Sequence, residues 1–303
     1  MTLDALSLGA TLYLPCTRND LARTLLGRRF PALRSAVLCI EDSVGEADVP
    51  HALTNLAAFL RRLAEQGRDT LPHIFVRPRD AAMLEHILLL PGIEHVDGFV
   101  IPKAHADSLP AYASLHFHEN HRLMPTLETR EACDAHEMRR FRDQLLGVQD
   151  RILALRIGGN DLLQLMGTRR SATRTAYEGP LAAIIGSLVA TFAPWDFTLS
   201  APVMENFADA TLLREEVARD IDHGLLTKTA IHPDQVAIIQ AAYAVSTRQL
   251  TEAEAMLAGD GPAVFASGGA MCEPATHRRW AERIVRRADL FGIADPLPTL
   301  RHA

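Results

Sequence analysis

Cysteine is scarce and dispersed in this chain. Four residues, Cys16, Cys39, Cys133 and Cys272, stand far apart among 303, and none belongs to a C-x-x-C pair. That spacing excludes a paired-thiolate metal site and a dense disulfide framework, and it fits a reducing compartment. Positive charge is also short: 31 Lys and Arg against 37 Asp and Glu leave a formal net charge of -6. A nucleic-acid partner demands a basic stripe to neutralise phosphates, so nucleic acid is set aside and small molecules remain.

Long apolar runs are missing. The longest, 181–195, is too short and too interrupted for a bilayer, and the N-terminal MTLDALSLGA has no basic segment leading into an apolar core. The expectation is a soluble, unexported, cytoplasmic protein with no membrane partner. A Gly-rich phosphate turn is absent as well. After the first apolar run the chain reads LPCTRND, where a doubly wound nucleotide-binding sheet would place its glycines.

What is present is an alternation. Short β-rich runs occupy 10–15, 35–41, 73–78, 98–103, 122–128, 152–159, 196–203 and 227–232, with amphipathic segments of helical period between them, among them 49–66, 130–146, 177–192 and 209–223. Eight such β-α units predict an α/β fold, a (β/α)8 TIM barrel, over 1–245. Helical patterns at 234–245 and 251–258, a Gly-Gly hairpin in GDGPAVFASGGAMCEP and a last helix over 275–290 predict a C-terminal helix-hairpin-helix extension, assigned to 246–303.

In such a barrel the chemistry sits at the C-terminal ends of the strands. The polar residues there are Glu41 and Asp42, Arg77 and Arg79, Lys103, Glu128, Asp161, Glu205 and His232. Glu128 and Asp161 close adjacent runs, the second in LRIGGNDLL. Two carboxylates so placed can ligate one hard divalent cation, with water and substrate oxygens completing an octahedral Mg²⁺ shell. The competing reading of Asp161 is a helix cap, since Asn or Asp after a glycine turn accepts orphan backbone N–H groups.

Other candidates carry their own alternatives. Arg77 can grip a carboxylate with its planar fork or serve in an ion pair at the barrel mouth. Glu41 and Asp42 are either a solvated strand end or acids that support the site and bind water, and Asp42 is a catalytic candidate. Lys103 fits the Schiff-base lysine of a metal-free aldolase, a reading the carboxylate pair displaces. Arg169, Arg170 and Arg174, in MGTRRSATRTAYEG just after Asp161, either contact phosphates of CoA, a phosphopantetheine carrier or a nucleotide, or form a solvated charge run. The tract from His116 to His121 precedes the fifth run and belongs to the stability face of the barrel, opposite the site.

Taken in order, LYLP, IEDSV, VRP, IPK, PTLET, IGGND and KTAIHPDQV resemble the citrate lyase beta subunit and its malyl-CoA and citramalyl-CoA lyase relatives in the HpcH/HpaI aldolase superfamily. The resemblance implies a Mg²⁺-dependent carbon–carbon lyase that reversibly cleaves a 3-hydroxyacyl thioester or related hydroxy acid to a 2-keto acid or glyoxylate plus an acyl product. It implies Mg²⁺ on Glu128 and Asp161, a substrate carboxylate on Arg77, and CoA or an acyl-carrier thioester as the second partner. It also places Glu273 on a C-terminal arm that closes over the site of a neighbouring copy. Independently, the apolar AVFA segment of the extension would leave exposed hydrophobic surface unless docked, which predicts a homo-oligomer, a trimer. Two departures, Pro15-Cys16 in place of Pro-Gly and Thr227-Lys228 in place of Gly-Lys, point to a divergent C–C bond lyase branch. The runner-up expectation is a Mg²⁺-binding assembly subunit that has lost turnover.

Overall fold

A computed structural model describes residues 3–66, 71–259 and 261–294. Eight parallel strands form the core of the first unit: β1 Ala10–Pro15, β2 Ser35–Cys39, β3 His73–Arg77, β4 Gly98–Ile101, β5 Arg122–Leu127, β6 Leu155–Ile157, β7 Leu199–Ser200 and β8 Lys228–Ala230. Their order is β7-β6-β5-β4-β3-β2-β1-β8. The Ala201 N–H donates to the Thr227 carbonyl at 2.8 Å, which brings the end of β7 against β8 and closes the ring. All eight predicted runs hold a strand, and the fold is a TIM barrel.

The helical segments mostly follow their apolar stripes. Val49–Gln66 is one helix that buries Leu56, Phe59, Leu60 and Leu63 at helical spacing. The pattern over 130–146 is broken, because Asp134 takes an extended backbone and caps Ala135–Leu146 by accepting from the His136 and Glu137 N–H groups. Residues Arg130–Cys133 form a separate 3-10 turn. A Gly179-Pro180 step likewise splits 177–192 into a short turn and the helix Leu181–Phe192.

Inside the ring, period-2 alternation stacks side chains in layers. Val37, Phe75, Met124 and Ala154 belong to one apolar cluster with Val100, and the 3-10 turn Ala5–Leu8 packs into it. Two residues further along the same strands the inward positions are Cys39, Arg77, Thr126 and Arg156, and these line a cavity. The apolar layer is therefore a plug, and polar chemistry begins directly above it.

Compactness divides the chain into 1–239 and 240–303, a division that falls inside the helix Pro233–Ala242. The second unit contains helices Thr247–Leu257 and Pro274–Phe291 with a hairpin between them, β9 Phe265–Ser267 and β10 Ala270–Cys272. Gly268 and Gly269 turn the hairpin at φ 57° and 84°, a backbone that favours glycine. Ala253, Met256, Cys272, Ala281 and Ile284 form this unit's own small core. The four cysteines are free thiols. Among the described residues no helix is long and apolar enough to cross a membrane.

Candidate active site

The cavity at the C-terminal ends of the strands has a volume of about 400 Å³ and is lined by Glu41, Asp42, Arg77, Glu128, Arg156 and Asp161 among others. Five of the residues singled out in the sequence, Glu41, Asp42, Arg77, Glu128 and Asp161, thus face one space.

Glu128 follows β5 and is buried. Its Oε1 accepts from Arg77 Nη2 at 3.0 Å and from the Lys103 backbone N–H at 2.7 Å. Lys103 reaches that position with φ 48°, a left-handed backbone that a non-glycine residue adopts only when its surroundings hold it there. Burial pushes the Glu128 carboxyl up to about 7; Arg77 opposes the rise and the neighbouring Asp161 carboxylate adds to it. The Asp161 carboxyl is also raised, first by burial, with Lys103 and Arg77 opposing and Glu41 adding.

Asp161 does not cap its helix. The helix Gly159–Leu165 has Gly158 at the N-cap, and Asp161 lies within its first turn. The N-cap position is therefore held by Gly158, and the Asp161 carboxylate lines the cavity while its own backbone N–H works to lower its pKa. Gly158 is required by its neighbour, because a Cβ built there would overlap the Glu128 side chain and lie 2.5 Å from its Oε2.

Arg77 sits between two acids, with Nη2 2.9 Å from Glu41 and 3.0 Å from Glu128. Its Nε is buried with no hydrogen-bond partner among the described residues. For Glu41, burial works upward, but Arg77, Asp42 and Lys103 together outweigh it and hold the carboxyl below its ordinary value. Asp42 stands at the rim, its side chain 62% exposed and 3.5 Å from Lys103 Nζ. Its carboxyl is raised, by burial first and then by Glu41. The Lys103 ammonium is paired with Glu41 and its pKa is raised, since that pairing outweighs the partial burial. A Schiff-base lysine needs the opposite shift to be a free amine.

Arg79 turns away from the cavity and donates to the Ile40 and Val44 carbonyls, fastening the loop that carries Glu41 and Asp42. Arg169, Arg170 and Arg174 line a second, smaller hollow rather than the main cavity. Arg170 is paired with buried Glu216, while Arg169 and Arg174 are exposed. Glu216 belongs to a buried cluster in which Lys228 Nζ lies 2.9 Å from both Glu216 and Asp220 and donates to the Pro202 carbonyl at 2.8 Å. Glu273 lies in the second unit as the N-cap of Pro274–Phe291; its side chain makes no capping bond, and Thr276 donates to it at 3.3 Å.

Sequence reasoning missed Arg156. The guanidinium is buried in the same layer as Arg77, and its Nη2 donates to Thr229 Oγ1 at 2.6 Å. Strand alternation from Ala154 to Gly158 is the signal that would have turned it inward.

The residues present fit a divalent cation. Both carboxyls are raised first by burial, and the Asp161 carboxylate adds to the rise at Glu128, so a cation between them would relieve the cost of holding negative charge there. Among the described residues no three His, Cys, Asp or Glu side chains converge on a common point. A cation held here would therefore keep water or substrate oxygens in its shell, as Mg²⁺ does.

A family model described as C–C bond lyase of the TIM-barrel fold matches residues 2–293. No curated protein matches the chain. Among solved structures, protein CitE from Mycobacterium tuberculosis in complex with magnesium, acetoacetate and coenzyme A is 22% identical, covers 94% of this chain and 99% of its own, and superposes with a TM-score of 0.69. RipC from Yersinia pestis is 21% identical over 80% of this chain and 98% of its own, with a TM-score of 0.61. The M. tuberculosis citrate lyase beta subunit complexed with oxaloacetate and magnesium is 20% identical over 80% and 99%, with a TM-score of 0.58. At these identities the neighbours establish the fold. The family match spans nearly the whole sequence, and the chain belongs to the C–C bond lyase family of the TIM-barrel fold, a family of carbon–carbon lyases.

Proposed function

We propose that this chain is a cytoplasmic, Mg²⁺-dependent lyase that reversibly cleaves a 3-hydroxyacyl thioester or related hydroxy acid to a 2-oxo acid and an acyl product. The observation that carries the reading is the Glu128–Asp161 pair facing one cavity beside Arg77. The neighbouring CitE structures, bound to magnesium and small oxo acids, add support.

Glu128 and Asp161 would hold the metal, whose Lewis acidity stabilises negative charge on substrate oxygens. Arg77 and the Lys103 backbone N–H pin Glu128 Oε1, leaving Oε2 on the Gly158 side. The Arg77 Nε is available to orient a substrate carboxylate. In the cleavage direction the substrate hydroxyl loses its proton and its oxygen becomes the keto oxygen. The carbon–carbon bond breaks, and its electron pair passes to the acyl fragment as an enolate, which is then protonated. Asp42, at the rim with a raised pKa, and Glu273, delivered by a second copy in a homo-oligomer, are the proton carriers of this reading. Arg169 and Arg174 are its contacts to the phosphates of CoA or of an acyl carrier. Arg170 anchors their loop through Glu216.

The test is turnover of 3-hydroxyacyl-CoA substrates with Mg²⁺, followed by mixing of the inactive variants Glu128→Gln and Glu273→Gln. Regain of activity in mixtures shown to exchange subunits supports the shared site; absence of regain removes Glu273 from it. Absence of carbon–carbon cleavage across the substrate panel by a Mg²⁺-loaded wild type overturns the reading.

A further inference from the structure

Resting on the lyase reading and extending it, we infer that Arg156 recognises the end of the substrate remote from the metal carboxylates. The substrate accordingly carries a second anionic oxygen group, as a dicarboxylic hydroxy or oxo acid does, which selects the hydroxy-acid branch of that reading over a neutral thioester at the far end.

Arg156 lies two residues above Ala154 in the apolar plug and two below Gly158 at the mouth, so its side chain fills the middle layer of the barrel. It crosses the interior from β6. Nη2 donates to Thr229 Oγ1 on β8 at 2.6 Å, Nη1 lies 3.7 Å from Met124 Sδ in the plug, and the guanidinium sits 5.3 Å from the centre of the Tyr13 ring on β1. Only 1% of the residue is exposed. Barrels ordinarily fill this layer with branched apolar side chains, and carrying a cation so deep costs desolvation that an aliphatic residue would avoid.

The geometry gives that cation a use. Arg156 lines the same cavity as Glu128 and Asp161, with Tyr13, Thr126 and Thr229 beside it. The carboxylates lie at the strand ends and Arg156 lies a layer deeper, so the cavity has an acidic mouth and a cationic, hydroxyl-rich floor. Arg77 Nη2 is engaged at the mouth end by Glu41 and Glu128, and its Nε serves the head carboxylate in the lyase reading, so the far end of a ligand is left to Arg156. A ligand whose hydroxy-acid head meets the mouth directs its other end to Arg156. A planar guanidinium there favours a carboxylate over a methyl group.

The experiment is calorimetric binding by the full chain in saturating Mg²⁺. The probes are L-malate, L-lactate and the C4 methyl ester of malate, which share a 2-hydroxy-acid head and differ at the far end. Expected for the wild type is malate binding at least about tenfold tighter than either comparator, the scale of one charge-assisted hydrogen bond. Arg156→Met is expected to weaken malate to the level of lactate and leave lactate within about twofold, and Arg156→Lys to retain part of the preference. Thermal melts establish that each variant is folded, and Arg156→Lys carries the test if Arg156→Met is not. Equal wild-type affinity for all three probes overturns the inference, as does an equal loss of malate and lactate in a folded variant, which would make Arg156 structural. A preceding Mg²⁺ titration separates the two readings: a wild type that binds no Mg²⁺ overturns the lyase reading itself, and this inference with it.

Discussion

Gly158 is a glycine because of Glu128. A Cβ at position 158 would overlap the Glu128 side chain and stand 2.5 Å from Oε2, the carboxylate oxygen not taken up by Arg77 and Lys103. The φ of Gly158 is -85°, which any residue can adopt, so the constraint is the neighbour rather than the backbone. Gly158→Ala is therefore expected to reduce Mg²⁺ affinity at least about tenfold by displacing Glu128, the scale seen when a metal ligand loses its support. Stability should fall by about 1–3 kcal/mol, the cost of overpacking a buried contact. Calorimetry and a thermal melt read the two effects separately. Unchanged Mg²⁺ affinity would mean that Oε2 plays no part in binding.

The buried cluster around Lys228 should act on stability. Its ammonium is protonated, because Asp220 and Glu216 outweigh its burial. For Glu216, burial works upward but Lys228 and Arg170 hold the carboxyl low, so removing the lysine leaves buried negative charge uncompensated. Lys228→Met is expected to cost about 3–5 kcal/mol, a melting temperature lower by roughly 10 °C. Mg²⁺ affinity of the folded fraction should stay within about twofold, since neither of the carboxylates proposed to hold the metal, Glu128 and Asp161, is paired with the cluster. A melt unchanged within about 2 °C would show that the cluster contributes nothing to the fold.

His121 gives the chain an acid sensitivity unrelated to its site. The ring is fully buried; its Nδ1 accepts from the His118 N–H at 3.3 Å, so its Nε2 carries the proton donated to the Ile93 carbonyl at 3.0 Å. Burial lowers its pKa from 6.5 to about 4, with the Ile93 carbonyl opposing the shift. A folded-state pKa below the unfolded one stabilises the chain above the unfolded value, and that stability is lost as pH falls from about 6.5 toward 4. Melting temperature should drop over this window in the wild type and less steeply in His121→Gln, which keeps a donor and an acceptor but cannot protonate. Parallel slopes would assign the sensitivity to other groups.

The barrel was legible because its strands announce themselves by composition and its helices by spacing. The eight runs from ATLYLP to TKTAIH each hold a strand, and Val49–Gln66 runs to the predicted ends. Helix continuity was harder to read. The stripe over 130–146 continues through Asp134, whose extended backbone and capping role are set by local hydrogen bonds that periodicity does not encode. At the site, Glu128 and Asp161 could be paired in advance because strand order is fixed by the fold. Strand order gives no such signal for Arg156, because a charge within a three-residue strand belongs to neither face until register is known. The commitment of Arg170 to Glu216 joins residues 46 positions apart and leaves no local trace.

The most direct measurement of the two-carboxylate site is a calorimetric Mg²⁺ titration of the wild type beside Glu128→Gln and Asp161→Asn. Both changes keep side-chain shape and remove one ligand charge. The wild type is expected to take one Mg²⁺ per chain, and each variant to bind at least about 100-fold more weakly while melting cooperatively. Wild-type Mg²⁺ affinity in either folded variant would contradict the site.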